Sequence, residues 1–564
     1  MGLAERVYPE ESSLARSAVR AVLLVVVLWI PAERLPAATC SVAQHTAPTE
    51  ADKALLAADY AKAATLYRAG LTGHPGDVEL TIGLVHALLR QQKVQEAAYA
   101  VKASLANTPK SAALITLRGE VEYRAGTPWA ATQSVIDSDK LDVCNARNHL
   151  LLADLARLNS MYASSRKQLE IAHKLDPDDP QIRGQWIRTL PLKQRIAETE
   201  AYLAEPRGLD EEDTRRWKLF LENQKKLAAE PHKACHLVSP TTFTVIPFAS
   251  IMRDAVHRAA FGLDVKLNGR NARLEIDTGA DGLIVTRSVA QHAGLKPFSE
   301  TEMSGVGDQG YKPGYNAYAD TIHIGNLEFQ DCALRVLDSR STLDVDGLIG
   351  MDVFSQFLVT LDYPMRKLLL GPLPPRPDEA AATAPSLKTN DGERDDTDAN
   401  AKAAAQNAAV AANTNGPHDR YIAPEMKDYL PIYRVGHMLI QPATLSGNIP
   451  KLFILDTGAM TTTISPEAAR EVTKIHADSR YHAKGLSGDV DKIFIADEVT
   501  FNFAHISHKV NDVVSYDISH ISKNANMEIS GFLGANTLNQ MTIHIDYRDG
   551  LVKFEYDPKR GYHF

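Results

Sequence analysis

Leu274-Glu275-Ile276-Asp277-Thr278-Gly279-Ala280-Asp281 and Phe453-Ile454-Leu455-Asp456-Thr457-Gly458-Ala459-Met460 are two versions of one phrase. In each, an apolar run suited to a buried strand leads into Asp-Thr-Gly, residues that favour a turn. One Asp-Thr-Gly alone is weak evidence, because about 0.1 copies are expected by chance in a chain of this size. The surroundings repeat as well. Ser304-Gly305-Val306-Gly307-Asp308-Gln309-Gly310 is matched by Gly485-Leu486-Ser487-Gly488-Asp489, and Gly347-Leu348-Ile349-Gly350 by Gly531-Phe532-Leu533-Gly534. Leu361-Asp362-Tyr363 is matched by Ile545-Asp546-Tyr547. The four offsets are 179 (456 − 277), 180 (485 − 305), 184 (534 − 350) and 184 (545 − 361). Near-constant spacing across four landmarks identifies an internal duplication.

Outward from each phrase the residues alternate with the period of strands. Phe261-Gly-Leu-Asp-Val-Lys-Leu267 and Ala272-Arg-Leu-Glu-Ile276 flank Asn268-Gly269, a strong hairpin-turn signal. Two all-β lobes are expected, over 245–374 and 430–564. Between them, 375–425 is Ala/Asp/Thr/Asn-rich with almost no large apolar residue, the composition of a disordered linker. Upstream, 45–235 is Ala- and Leu-rich with helical periodicity. Pro75, Pro109 and Pro177 fall on a lattice of 34 (109 − 75 = 34; 177 − 109 = 68), and Ala63, Ala97, Ala131 and Ser165 follow it. Such a period marks stacked helix pairs, in which small side chains allow close approach. A plain helical domain is the alternative.

The first forty residues read as an address. Arg16 and Arg20 precede the apolar run Ala21 to Ile30, Pro31 ends it, and small residues follow at Ala37 and Ala38. This is the plan of a secretory signal, and the run is short for a transmembrane helix, which needs about 20 residues. Export to the periplasm or outside the cell is expected, with an uncleaved membrane anchor as the rival. Cys40, Cys144, Cys235 and Cys332 are widely spaced, without zinc-site spacing. In an oxidising compartment a Cys144–Cys235 disulfide is one option and free, partly buried thiols another. The formal net charge of −9, without a dense basic block, argues against a nucleic-acid partner.

The duplicated phrase resembles that of the aspartic proteases, and Asp277-Thr-Gly-Ala-Asp281-Gly282 is closest to the retropepsin-like form. Two lobes in one chain is instead the pepsin-like arrangement. The upstream period resembles the tetratricopeptide repeat. Together these imply a multidomain protein, an N-terminal all-α TPR-like solenoid followed by two all-β aspartic-protease-like lobes. The family resemblance implies an aspartic-type endopeptidase in which Asp277 and Asp456 activate water. Two carboxyls at hydrogen-bonding distance cannot both ionise, so one acts as base and its neighbour as acid. Gly279 and Gly458 would let backbone approach the carboxylates, and the Thr278 and Thr457 hydroxyls would cross between lobes. Asp281 would help hold substrate backbone, although its counterpart is Met460. Gly305, Gly307 and Gly485 would lie in flaps over the substrate, the plainer reading being exposed hairpin loops. Ala280 and Ala459 stand where pepsin-like enzymes usually have a hydroxyl residue, which predicts activity nearer neutral than strongly acid pH.

Two alternatives stay open. Each lobe could pair with its twin on another chain, or the lobes could form a non-catalytic scaffold that binds peptides or proteins. No serine triad, zinc helix, phosphate loop or dinucleotide fingerprint is found, and neither metal nor organic cofactor is called for. The expected partners are a protein or peptide substrate and a protein on the helical repeats.

Overall fold

The computed structural model describes residues 40–377 and 418–556, apart from 206, 231, 233, 253–257, 339–344, 447, 479 and 481. The signal or anchor segment, 1–39, and most of the expected linker, 378–417, lie outside the described residues. Eleven helices run from Glu50–Leu56 to Glu211–Ala229. One set starts at Tyr60, Val94, Pro128 and Tyr162, and the other at Val78, Ala112, Ala146 and Pro180, each stepping by 34. Asp77, Ser111, Asn145 and Asp179 cap the second set by accepting backbone N–H groups two or three residues on. The same lattice therefore carries the signal that starts each helix. Ala63, Ala97 and Ala131 are fully buried between packed helices. No helix among the described residues is long and apolar enough to cross a membrane.

Two β domains follow. The first is a nine-stranded sheet and the second an eight-stranded one. Asn268 and Gly269 both take positive φ, and Leu267 pairs with Arg270 across the expected turn. In each domain the repeated hydrophobic-Gly element is a short strand beside the one leading to Asp-Thr-Gly. Gly347–Ile349 runs parallel to Leu274–Ile276, and Gly531–Leu533 runs parallel to Phe453–Leu455.

A six-stranded sheet joins the domains, with three strands from each. Its central pair, Phe357–Asp362 and Met541–Asp546, holds the two copies of the closing landmark, with Leu361 opposite Ile543 and Val359 opposite Ile545. One hydrophobic core runs through both domains and this sheet. The helical region is bound in as well. Tyr123, Val135, Leu151 and Leu155 share a core with Tyr433, Ile454, Tyr516 and Ile521 of the second β domain. That burial argues against the helical half being a readily detached segment.

The cysteines correct one expectation. Cys40 pairs with Cys144 and Cys235 with Cys332, not Cys144 with Cys235. Backbone register explains the second pair. Strand His236–Leu237 runs antiparallel to Leu327–Leu337, with His236 opposite Gln330, which brings Cys235 beside Cys332.

Candidate active site

Each Asp-Thr-Gly leaves the end of its strand as a tight loop that turns backbone N–H groups back onto its own carboxylate. Gly279 N donates to Asp277 Oδ1 at 2.8 Å and Ala280 N at 3.1 Å. Gly458 N and Ala459 N do the same for Asp456, at 2.9 and 3.0 Å. The loops face each other. Thr278 Oγ1 donates to Leu455 O at 2.7 Å and accepts from Thr457 N at 3.0 Å. Thr457 Oγ1 donates to Ile276 O and accepts from Thr278 N, each at 3.1 Å. Both threonines are buried, so the four bonds satisfy groups that water cannot reach.

Glycine is required here by space. A Cβ on Gly279 would lie 2.9 Å from Asp456 Cγ, and one on Gly458 only 2.5 Å from Asp277 Cγ. Each domain's loop is the wall against which the other domain's carboxylate rests. Asp277 and Asp456 hydrogen-bond to each other. Desolvation, then the charge of Asp456 and that of Glu275, pushes Asp277 well above the ordinary carboxylate range. Asp456 is also raised by desolvation, but the N–H groups of Ala459 and Gly458 and the Asp277 hydrogen bond oppose the rise. The two carboxyls therefore share one proton, with Asp277 the more strongly raised of the pair.

Three neighbours of the dyad escaped the motif reading. Glu275, two residues before Asp277, is pushed up to about 7 by desolvation and by Asp456. Its alternation with Asp277 along one strand face was the available signal. His437, from the second β domain, places Nε2 2.9 Å from Gly279 O, and because a carbonyl only accepts, Nε2 carries the proton. Burial lowers its pKa, so it crosses the domain boundary as a neutral donor. Asp352 receives Gly282 N at 3.1 Å and is pushed up to about 7 by desolvation and by Asp281. No local pattern marks His437 or Asp352. Asp281, expected to meet substrate backbone, forms an ion pair with Arg335 and lies 3.9 Å from His437 Nδ1. Desolvation opposes ionisation of Asp281, but the Arg335 guanidinium outweighs it and holds the carboxyl below its usual range.

The expected flaps are a long hairpin, Lys296–Met303 with Lys312–Ile324, and a very short one, Lys484–Gly485 with Gly488–Asp489. Their tips clasp each other. Ser487 N donates to Val306 O at 2.9 Å, Gln309 N to Ser487 O at 2.9 Å, and Asp308 N to Asp489 O at 3.0 Å. Gly305 N donates to Ser487 Oγ at 3.0 Å. A Cβ on Gly307 would meet Gly488 O at 2.4 Å, and one on Gly485 would meet Val306 O at 2.6 Å. The glycines expected to contact substrate thus serve first to let the tips approach. The side chains cross over: Leu486 packs on the cluster containing Ala280, and Val306 on the one flanked by Ala459.

Among the described residues no group of three or more His, Cys, Asp or Glu is placed to hold a metal ion. A family model described as aspartyl protease matches residues 263–353. The match spans the first Asp-Thr-Gly, the long hairpin and Gly347–Gly350. This part of the chain is an aspartyl protease-like region. No curated protein matches the chain.

Proposed function

We propose that the protein is an aspartic-type endopeptidase whose Asp277 and Asp456, from two domains of one chain, share a proton and activate water against a peptide carbonyl. The observation that carries this reading is the reciprocal loop contact. Each carboxylate rests against the opposite domain's glycine, and the Thr278–Thr457 bonds hold that register. Asp456, anionic and fed by two backbone N–H groups, takes a proton from water. Asp277, protonated, donates to the carbonyl oxygen, and the roles reverse when the amine leaves. Glu275 and His437 position this pair from either side without touching the reacting atoms. Because both carboxyls are raised, activity extends towards neutral pH.

The test is hydrolysis of a diverse peptide library by the full chain and by Asp277→Asn and Asp456→Asn. Loss of at least about 10²–10⁴-fold in both variants is expected. Half the activity left in each would mean two separate sites. The clasped flaps favour a second reading, a peptide-binding scaffold; it gains if the wild-type chain binds library peptides and cuts none.

The helical region is read as a tetratricopeptide-like array that receives a protein partner, with the 34-residue recurrence of helix starts and caps in support. Export is read from the N-terminal segment, and two disulfides are in keeping with an oxidising compartment.

A further inference from the structure

The two flaps are secured in different ways. Strand Lys312–Ile324 of the long hairpin pairs with Lys296–Met303 on one side and Leu327–Leu337 on the other, so the hairpin is an extension of the nine-stranded sheet. The short turn, Lys484–Gly485 with Gly488–Asp489, joins neither domain's sheet. A lone two-stranded ladder is marginally stable in water, so the turn depends on what it touches.

Two helices brace the long hairpin from outside. From helix Glu211–Ala229, Arg215 pairs with Glu302 at 3.0 Å and Asn223 Nδ2 donates to Glu300 O at 3.3 Å. From helix Ser519–Ala525, His520 Nε2 donates to Gly305 O at 2.9 Å. Asn524 on the same helix accepts from Tyr311 Oη at 2.8 Å and donates to Ser304 Oγ at 3.3 Å. Lys523 and Glu212, 2.7 Å apart, tie the two helices together, and Arg216 lies 5.5 Å from the Tyr311 ring centroid. The turn has no such bracing. Among the described residues, every hydrogen bond it makes beyond its own ladder goes to the long hairpin: Ser487 with Val306, Gln309 and Gly305, and Asp489 with Asp308. Just past the turn, Asp491 N donates to Asp308 Oδ2 at 2.6 Å. Breaking this clasp frees the turn, whereas the hairpin keeps its sheet and both helices.

We propose that the short turn Lys484–Asp489 is the lid of the cleft and the long hairpin a fixed wall, anchored by the helical region, so that substrate enters as the turn leaves the wall. Swinging the hairpin instead would break the same clasp and, in addition, its contacts with two helices. Which element moves follows from these contacts alone, whereas its service to a substrate rests on the endopeptidase reading.

The four cysteines of the chain form two disulfides, so introduced thiols can be addressed selectively. In the full chain carrying Asp277→Asn, Ser487→Cys and Ser299→Cys are compared by their rates of labelling with a soluble maleimide. Ser487, on the turn, is 0 % exposed and Ser299, on the hairpin, 5 %. Ser487→Cys is nevertheless expected to label at least about tenfold faster, because local opening governs the rate. Equal rates, or a faster Ser299→Cys, overturn the proposal. In the active chain a short bis-maleimide joins either Arg215→Cys to Glu302→Cys, fixing hairpin to helix, or Asp308→Cys to Asp491→Cys, fixing turn to hairpin. Against the same double variant unbridged, the first bridge should leave kcat/KM for library peptides within about twofold, and the second should lower it at least about tenfold. Loss of cleavage under the first bridge, or none under the second, overturns the lid as the entrance. Faster labelling of Ser487→Cys in a protein whose wild-type chain cuts nothing keeps the lid and rejects the endopeptidase. Cleavage by a chain in which Ser487→Cys labels no faster does the reverse.

Discussion

At matched positions the first β domain has Glu275, Asp281 and Asp352 where the second has Ile454, Met460 and Asn536. The backbones are alike. Asn536 Oδ1 accepts Thr462 N at 2.7 Å, just as Asp352 Oδ1 accepts Gly282 N at 3.1 Å. One domain makes the bond with a neutral amide and the other with a carboxyl whose pKa burial and Asp281 raise to about 7. The flaps differ similarly, one a long hairpin braced by the helical region and the other a two-residue turn. Duplication preserved the geometry of the loops, whereas these three acidic side chains and the longer hairpin lie in the first copy. Electrostatic tuning of a dyad needs few charges, and placing them on one side sets which carboxyl keeps the proton.

The glycine walls give the largest effect. Gly458→Ala would push its Cβ within 2.7 Å of both Asp277 carboxylate oxygens, while Gly279→Ala leaves 3.0 Å to those of Asp456. Both should lower kcat/KM for peptide cleavage, Gly458→Ala by about 10²-fold and Gly279→Ala by less, since misplacement by about 1 Å has that cost. Equal effects would break the asymmetry of the two walls.

Asp352→Asn rebuilds the first domain with the second domain's solution. The folded-state pKa of Asp352, about 7, lies above its ordinary value of 3.8. Its contribution is therefore fully present below about pH 4 and is lost as pH rises through 7. The asparagine variant should lack that loss and be more stable at pH 8 by a few kcal/mol, at about 1.4 kcal/mol per pH unit. Urea unfolding at pH 4 and pH 8 measures it, and parallel pH dependence in both proteins would contradict it.

Thr278→Val and Thr457→Val each remove one hydroxyl that donates and accepts across the domain boundary. Each should cost about 1–3 kcal/mol in unfolding free energy, because buried partners are left unsatisfied. Coupling in the double variant, read from a mutant cycle, would show that the two threonines act as one unit.

The smallest effect is a shift of the pH profile. Glu275 charge opposes ionisation of Asp277. Glu275→Gln should move the alkaline limb of kcat/KM to lower pH with little change at the optimum. An unmoved limb would mean that Glu275 does not reach the dyad.

The duplicated phrase and its strand-like flanks were legible because they are local patterns written twice, the hairpin at Asn268-Gly269 because its turn residues are local, and the 34-residue helical lattice because its prolines and small residues recur. From these alone follow the β and α halves and the two aspartates that had to be considered together. Three-dimensional packing decided the rest. It brought Asp277 against Gly458 within one chain, paired Cys235 with Cys332, set His437 on Gly279, joined the flap tips and seated the helical region on the second β domain. Each of these contacts links residues far apart in the chain, at positions with no periodicity or motif of their own. A partner's identity there depends on which surfaces the folded domains present to each other, and that is a property of the packed core and not of any stretch of sequence.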